Sequence, residues 1–196
     1  MLRELSVPFT AHRSLFTTPE LIPKHHCSQT MYVPFNQLPD HSRIWIYQAN
    51  RQLSDKEKQF ADEALKDFCE RWVAHSQPLK TSYTIEHNQF IILATDEDYH
   101  QPSGCSIDSS VRALKDLQSE LGIDFFDRTK VAFLDGDTVV THPLAQLKSV
   151  FESGKFAGNT ITFNNLVPSR GDLARAWKTP VEKTWLTKYL PNSTLA

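Results

Sequence analysis

The stretch TSYTIEHNQFIILATDE, Thr81 to Glu97, decides how the chain folds. Thr81 to Glu86 alternates, with Tyr83 and Ile85 on one face, as a half-buried strand does. His87-Asn88 follows as a tight turn, and Phe90 to Thr95 returns as a continuous apolar strand. Two strands joined by so short a link form an antiparallel hairpin. An apolar run ending in Asp96-Glu97 also resembles the second nucleotide-binding strand of an ATPase, so the same residues pose a question of function. Their simplest reading is a core strand that ends in solvated acids.

Outward from this hairpin, Ile44 to Gln48 is rich in branched and aromatic residues and predicts a strand. Ser54 and Glu57 have the spacing of a capping box. Phe60, Ala61, Ala64, Leu65, Phe68, Trp72 and Val73 then recur at helical spacing, which predicts a helix over 54–74. Cys69 and the tryptophans at 45, 72, 177 and 185 read as packing residues. After the hairpin, Ile107, Val111, Leu114, Leu117 and Leu121 stripe a second helix that Gly122 ends, with Ser106 or Asp108 as its cap. Lys130 to Leu134 and Thr138 to Thr141 predict a second hairpin around Asp135-Gly136. Pro143 opens a short helix stopped by Gly154, 160–164 is a late strand, and 172–190 reads as two helical pieces split by Pro180. The order β-α-β-β-α-β-β-α-β-α implies an α+β fold: a mostly antiparallel sheet built from hairpins, helices packed on one face, and a ferredoxin-like split βαβ at its start. Residues 1–30, interrupted by Pro8, Pro19 and Pro23, read as an extended N-terminal arm, and 31–196 as a single domain. The patterning begins at Met31, which makes Met31 an alternative start.

The bulk numbers exclude several classes. With 196 residues, 40% of them hydrophobic, the chain can bury a full core. A net charge of -2 gives no basic surface for nucleic acid. No apolar run reaches the roughly 18 residues of a membrane span, so no membrane insertion is expected. Three cysteines, at 27, 69 and 105, form neither a disulfide framework nor a zinc pattern, and the reducing cytoplasm is the expected setting.

An ATPase strand needs a phosphate cradle, GxxxxGK followed by Ser or Thr. Among six glycines only Gly154 precedes a lysine, and Phe156 follows it. A GxGxxG dinucleotide loop is missing too, and no cofactor is expected. Asp96, Glu97, Asp98, Asp135 and Asp137 offer oxygen ligands to a divalent ion only if separate loops meet. No metal is expected.

RIWIYQANR (43–51), NQFIILATDE (88–97), SGCSIDSSVR (103–112), FDRTKVAF (126–133) and TITFNNLV (160–167) resemble a family of small bacterial proteins of the Bacteroidetes lineage, commonly labelled ABC transporter ATPase. The resemblance spans about 31–190. Its label implies nucleotide hydrolysis, which the missing phosphate loop opposes. It implies no catalytic residue.

The candidate site is therefore read from chemistry. Ser103, Gly104, Ser106, Ser109 and Arg112 surround a helix start, where unsatisfied N–H groups and the helix dipole favour an anion. Cys105 sits at the same terminus, which favours a thiolate. His87 or His100 would serve it as base. Asn164 and Asn165 add ligand-binding amides. The expected activity is that of a small-ligand or protein-binding module, its partner a small anion or a protein. An enzyme using Cys105 as nucleophile or redox thiol is the alternative, and a nucleotide hydrolase is the disfavoured third. The bland reading of the helix start is plain capping, and that of the amides is satisfaction of loop backbone.

Overall fold

The computed structural model of the chain describes residues 31–191. The elements, in order, are β1 (Arg43–Gln48), α1 (Asp55–Arg71), β2 (Val73–Ala74), β3 (Gln77–Pro78), β4 (Thr81–Glu86), β5 (Phe90–Thr95), α2 (Gly104–Leu121), β6 (Lys130–Asp135), β7 (Thr138–Pro143), α3 (Leu147–Glu152), β8 (Ile161–Phe163), α4 (Arg170–Ala176) and β9 (Lys178–Pro180). Short 3-10 turns link several of them. The N-terminal arm, its histidines and Cys27 lie outside the described residues.

The opening hairpin is the centre of the structure. β4 pairs with β5 from Thr81↔Thr95 to Glu86↔Phe90. His87 and Asn88 both take positive φ, +51° each, the left-handed central pair of a turn that the Gln89 N–H closes on the Glu86 carbonyl. Asn accepts that conformation readily, because its short amide tolerates the αL region. β1 pairs with the other edge of β5, also antiparallel, giving the order β1-β5-β4. β1 and β4 are therefore parallel, joined through α1, with β5 inserted between them: the split βαβ read from the sequence.

The two faces of β5 explain its composition. Ile91 and Leu93 pack against Ala61, Leu65 and Cys69 of α1 and Leu114 and Leu117 of α2. Phe90, Ile92 and Ala94 pack on the opposite face against Ala132 of β6, Val139 of β7, Val167 and Trp177. A strand covered on both faces must be apolar throughout, whereas a strand with one wet face alternates. The second cover is a separate antiparallel sheet, β7-β6-β8-β9. The expected single sheet is thus two packed sheets, plus the small β2–β3 hairpin. β6 leaves the split βαβ to start the second sheet. Its Phe133 faces away from β5 and joins Leu147, Phe151, Phe156, Val181 and Leu186 in a third cluster under α3 and the C-terminal 3-10 turns. The α+β class holds, in four layers: helices, sheet, sheet, helices.

Local chemistry sets most boundaries. The Ser54 hydroxyl accepts from the Glu57 N–H, and the Glu57 carboxylate accepts from the Ser54 N–H, a reciprocal capping box. The Arg51 fork adds two bonds to that carboxylate and, with Ser54, holds it down at about 2. α1 ends at Arg71, earlier than periodicity predicts, because Trp72 turns to extended backbone and Val73 begins β2. α2 is capped by Ser103, whose hydroxyl accepts from the Ser106 N–H, and not by Ser106 or Asp108. The second hairpin turns at Gly136-Asp137, with Asp135 still paired to Thr138. β7 extends to Pro143, so α3 starts at Leu147. The tail holds a strand, β9, where a helical piece was expected. Pro180 sits at the end of that edge strand, a position that asks no N–H of it.

Gly122 follows α2 at φ +61°, and its amide donates to the Gln118 carbonyl. A Cβ there would meet nothing within 4 Å. The cost of a side chain is therefore conformational alone. Gly122→Ala is expected to lower the unfolding free energy by about 1–2 kcal/mol, read by urea denaturation, and a neutral effect would contradict the left-handed cap.

Candidate functional site

The acids that end β5 are not a solvated fringe. Asp96 is 5% exposed. Its Oδ2 accepts from Lys80 Nζ at 2.8 Å and its Oδ1 accepts from the Asp98 N–H at 3.2 Å. Burial opposes its ionisation, yet the Lys80 bond, the Asp98 N–H and the charges of Lys80 and His41 together hold the carboxyl below its ordinary value. Glu97 accepts from Arg43 at 3.3 Å. The Asp-Glu pair is thus committed to internal ion pairs, whereas an ATPase needs these two groups free for metal and water.

His41 stands 2.9 Å from Asp98 and 3.7 Å from Asp96. One ligand atom from each of these three residues falls within 4.8 Å of the others. The Lys80 ammonium already neutralises Asp96 within this group, so the arrangement is an ion-pair cluster closing the end of the sheet. Asp135 and Asp137 lie on the β6–β7 hairpin of the other sheet, away from it.

The residues around the start of α2 do come together. Ser103, Cys105, Ser106, Ser109 and Arg112 line one open groove of about 630 Å³. Its opposite wall comes from Phe68, Arg71, Trp72, Val73 and His75, and Ala113 and Asp116 extend it along α2. Trp72 ties the walls: its Nε1 donates to the Ser106 carbonyl at 2.8 Å. The serine hydroxyls are partly committed. Ser106 Oγ donates to the Ser103 carbonyl and Ser109 Oγ to the Ser106 carbonyl, so each offers lone pairs, not a proton, to a ligand. Ser106 is itself buried.

The free donors are elsewhere. Ser103 satisfies the Ser106 N–H, which leaves the Gly104 and Cys105 N–H groups without a partner among the described residues. Arg112 is exposed and forms no ion pair among the described residues. Arg71 is engaged by Asp67 one turn earlier. Cys105 is exposed and unbridged. Cys69, by contrast, is buried, and its surroundings push its thiol up to about 12.

The histidines expected to serve Cys105 are not in the groove. His87 lies at the start of β5, whereas the chain reaches Cys105 only after the strand's far end. Six strand residues separate those ends by roughly 20 Å. His87 also packs on the second-sheet side, 5.7 Å from the ring of Phe163 and 6.0 Å from that of Trp177. Burial and the nearby Lys178 charge push it toward the neutral form. His100 stacks edge-on with Tyr99 in the entry loop. The histidine that does line the groove is His75, at φ +50° in the two-residue β2–β3 turn with Ser76 at +64°.

Asn165 is spent on the fold, and the exposed Asn164 is engaged through its side-chain oxygen. Asn164 Oδ1 accepts from the Leu166 N–H. Asn165 Oδ1 accepts from Trp177 Nε1 at 3.1 Å and its Nδ2 donates to Gln48 at 3.2 Å, linking the two sheets. No family model matches the chain, and neither a curated protein nor a solved structure does.

Proposed function

We propose that the chain is a binding module for a small anionic ligand, held in the groove at the start of α2. The observation that carries this is the convergence, in one 630 Å³ groove, of the Arg112 guanidinium with the opening turn of an 18-residue helix. The helix dipole and the Gly104 and Cys105 N–H groups favour a phosphate or carboxylate there. Phe68, Trp72 and Val73 give the ligand an apolar wall, the usual composition of a small-molecule site. Asp116, about three turns from the helix start, opposes an anion at the far end of the groove and so confines the charged group to the capped end.

The test is a phosphate titration followed by the amide resonances of Gly104 and Cys105. Arg112→Glu is expected to weaken binding at least tenfold, while the unfolding midpoint stays within error because the side chain is exposed. Saturable shifts that ignore the Arg112 charge would sink the reading.

A second reading has its own observation. Cys105 and His75 line the same groove, which supplies the base that His87 and His100 do not. On this reading the thiol is a nucleophile or redox centre. It predicts that His75→Ala slows alkylation of Cys105 and changes its pH profile. Both described cysteines are free thiols, which supports the cytoplasmic expectation. Among the described residues no helix is long and apolar enough to cross a membrane. Nucleotide hydrolysis has the least support, since the acids it would use are held by Lys80 and Arg43.

A further inference from the structure

The first sheet has one edge that the described residues begin to cover and then leave. β4 is its outer strand. The even residues of β4 direct their backbone at β5: the Lys80 carbonyl accepts from Asp96 and the Glu86 carbonyl from Gln89. The odd residues therefore point outward. Thr81 does so with a partner, donating to the Met31 carbonyl at 3.1 Å and accepting from the Val33 N–H at 3.0 Å. Residues 31–33 thus start a parallel strand along β4. The chain leaves the edge at Pro34 and turns away into a 3-10 turn at Phe35–Gln37. One register step further, the N–H and C=O groups of Tyr83 and Ile85 face outward with no backbone partner among the described residues.

Beside this open stretch lies a cleft of about 400 Å³, formed by Tyr83–Ile85, Tyr32 and three residues of α1: Lys58, Asp62 and Lys66. Neither lysine forms an ion pair among the described residues. Asp62 contributes its carbonyl to the Tyr83 hydroxyl, which fixes the helix to the strand. The cleft carries a net positive charge beside strand backbone that no described residue pairs. We propose that the outer edge of β4 takes an extended, acid-bearing segment of a partner polypeptide as a further strand.

The spacing defines the segment. Lys58 and Lys66 are about 12 Å apart along the helix, which roughly four strand residues span. Two acidic side chains four residues apart lie on one face of a strand and meet both lysines. The residue midway between them meets Asp62 and must not be acidic. Backbone bonds to Tyr83 and Ile85 supply affinity, and the two charges supply choice of partner. A second copy of this chain fits poorly. A two-fold pairing of β4 with itself sets Asp62 against Asp62 and Lys58 against Lys66.

The probe is the peptide acetyl-Val-Glu-Val-Thr-Val-Glu-Val-amide, titrated into the full chain and followed by the amide resonances of Tyr83 and Ile85. Saturable shifts at those two amides are expected, and a twin peptide N-methylated at alternate residues is expected not to produce them. Ile85→Pro removes an outward N–H that the β4–β5 ladder does not use, at an edge position where proline is tolerated. It is expected to weaken binding at least tenfold. Lys58→Glu with Lys66→Glu, on the helix surface, is expected to do the same without disturbing the strand, and keeps the test open if the proline variant does not fold. Silence at millimolar peptide overturns the proposal, as does equal binding of the N-methylated twin. Concentration-dependent dimerisation with the same amide shifts would assign the edge to a second copy and overturn it too.

Discussion

Phe90→Ala is expected to lower the unfolding free energy by about 3–5 kcal/mol. Phe90 is fully buried at the start of β5, on the face between the two sheets. Its ring lies 4.7 Å from that of Phe163 and 5.0 Å from that of Trp177, the latter edge-on. Removing it takes away its own transfer energy and leaves a cavity walled by two strands and a tryptophan. Neither wall collapses easily, because each is fixed from behind: Trp177 by its bond to Asn165, and β8 by its pairing with β6 and β9. Typical domains have only about 5–15 kcal/mol in total, so the variant is expected near the edge of folding. Urea denaturation measures it. A loss below about 1 kcal/mol would mean that the sheets do not pack as described.

Lys80→Met carries the second large effect, about 3 kcal/mol at pH 7, the low end for breaking a buried pair because Lys80 keeps partial contact with water. The substitution leaves Asp96 buried with an uncompensated charge. The pH dependence follows from the sign of the shift. Asp96 is depressed in the folded chain, so its contribution is present above the ordinary carboxylate value near 4 and is lost as pH falls through the lower, folded value. In the variant the carboxyl has lost its main partner and takes up a proton at higher pH than in the parent. The difference between parent and variant is therefore expected to shrink toward acid and to vanish once the pH lies below the folded value of the parent. A pH-independent deficit would show that Lys80 matters through packing of its stem and not through Asp96.

The two variants also separate what FIILATDE contributes. Its apolar half holds two sheets and a helical layer together. Its acidic half closes one end of the sheet through Lys80 and Arg43. Both roles are structural. The nucleotide likeness of the stretch comes from a shared requirement: a strand buried on both faces is continuously apolar, and where it leaves the core it is followed by charge.

Much of the architecture was legible because it is local. The capping box at Ser54, the positive-φ turn at His87-Asn88, the glycine cap at 122 and the period of both long helices each depend on residues within a few positions of one another. Backbone sterics and hydrogen bonding over that range follow from composition alone. The order of these pieces was enough for the α+β class and for the split βαβ at its start. The residues around α2 could also be gathered from the sequence, since they lie on adjacent turns of one helix.

Only the tertiary structure decided the rest. The continuous apolar character of β5 requires cover on both faces but does not say whether helix or sheet supplies the second, and it was the 130–163 hairpin region that folded over it. The two-residue strands that place His75 opposite Cys105 are too short to show a period. Lys80 and Asp96 are sixteen residues apart and meet only because β4 and β5 pair in one register. Nearness along the chain points to His87 as the thiol's base, but the hairpin carries it to the other end and the other face of the sheet. Local propensity is set by neighbours in sequence, whereas a site is set by the long-range packing that brings distant elements onto one surface.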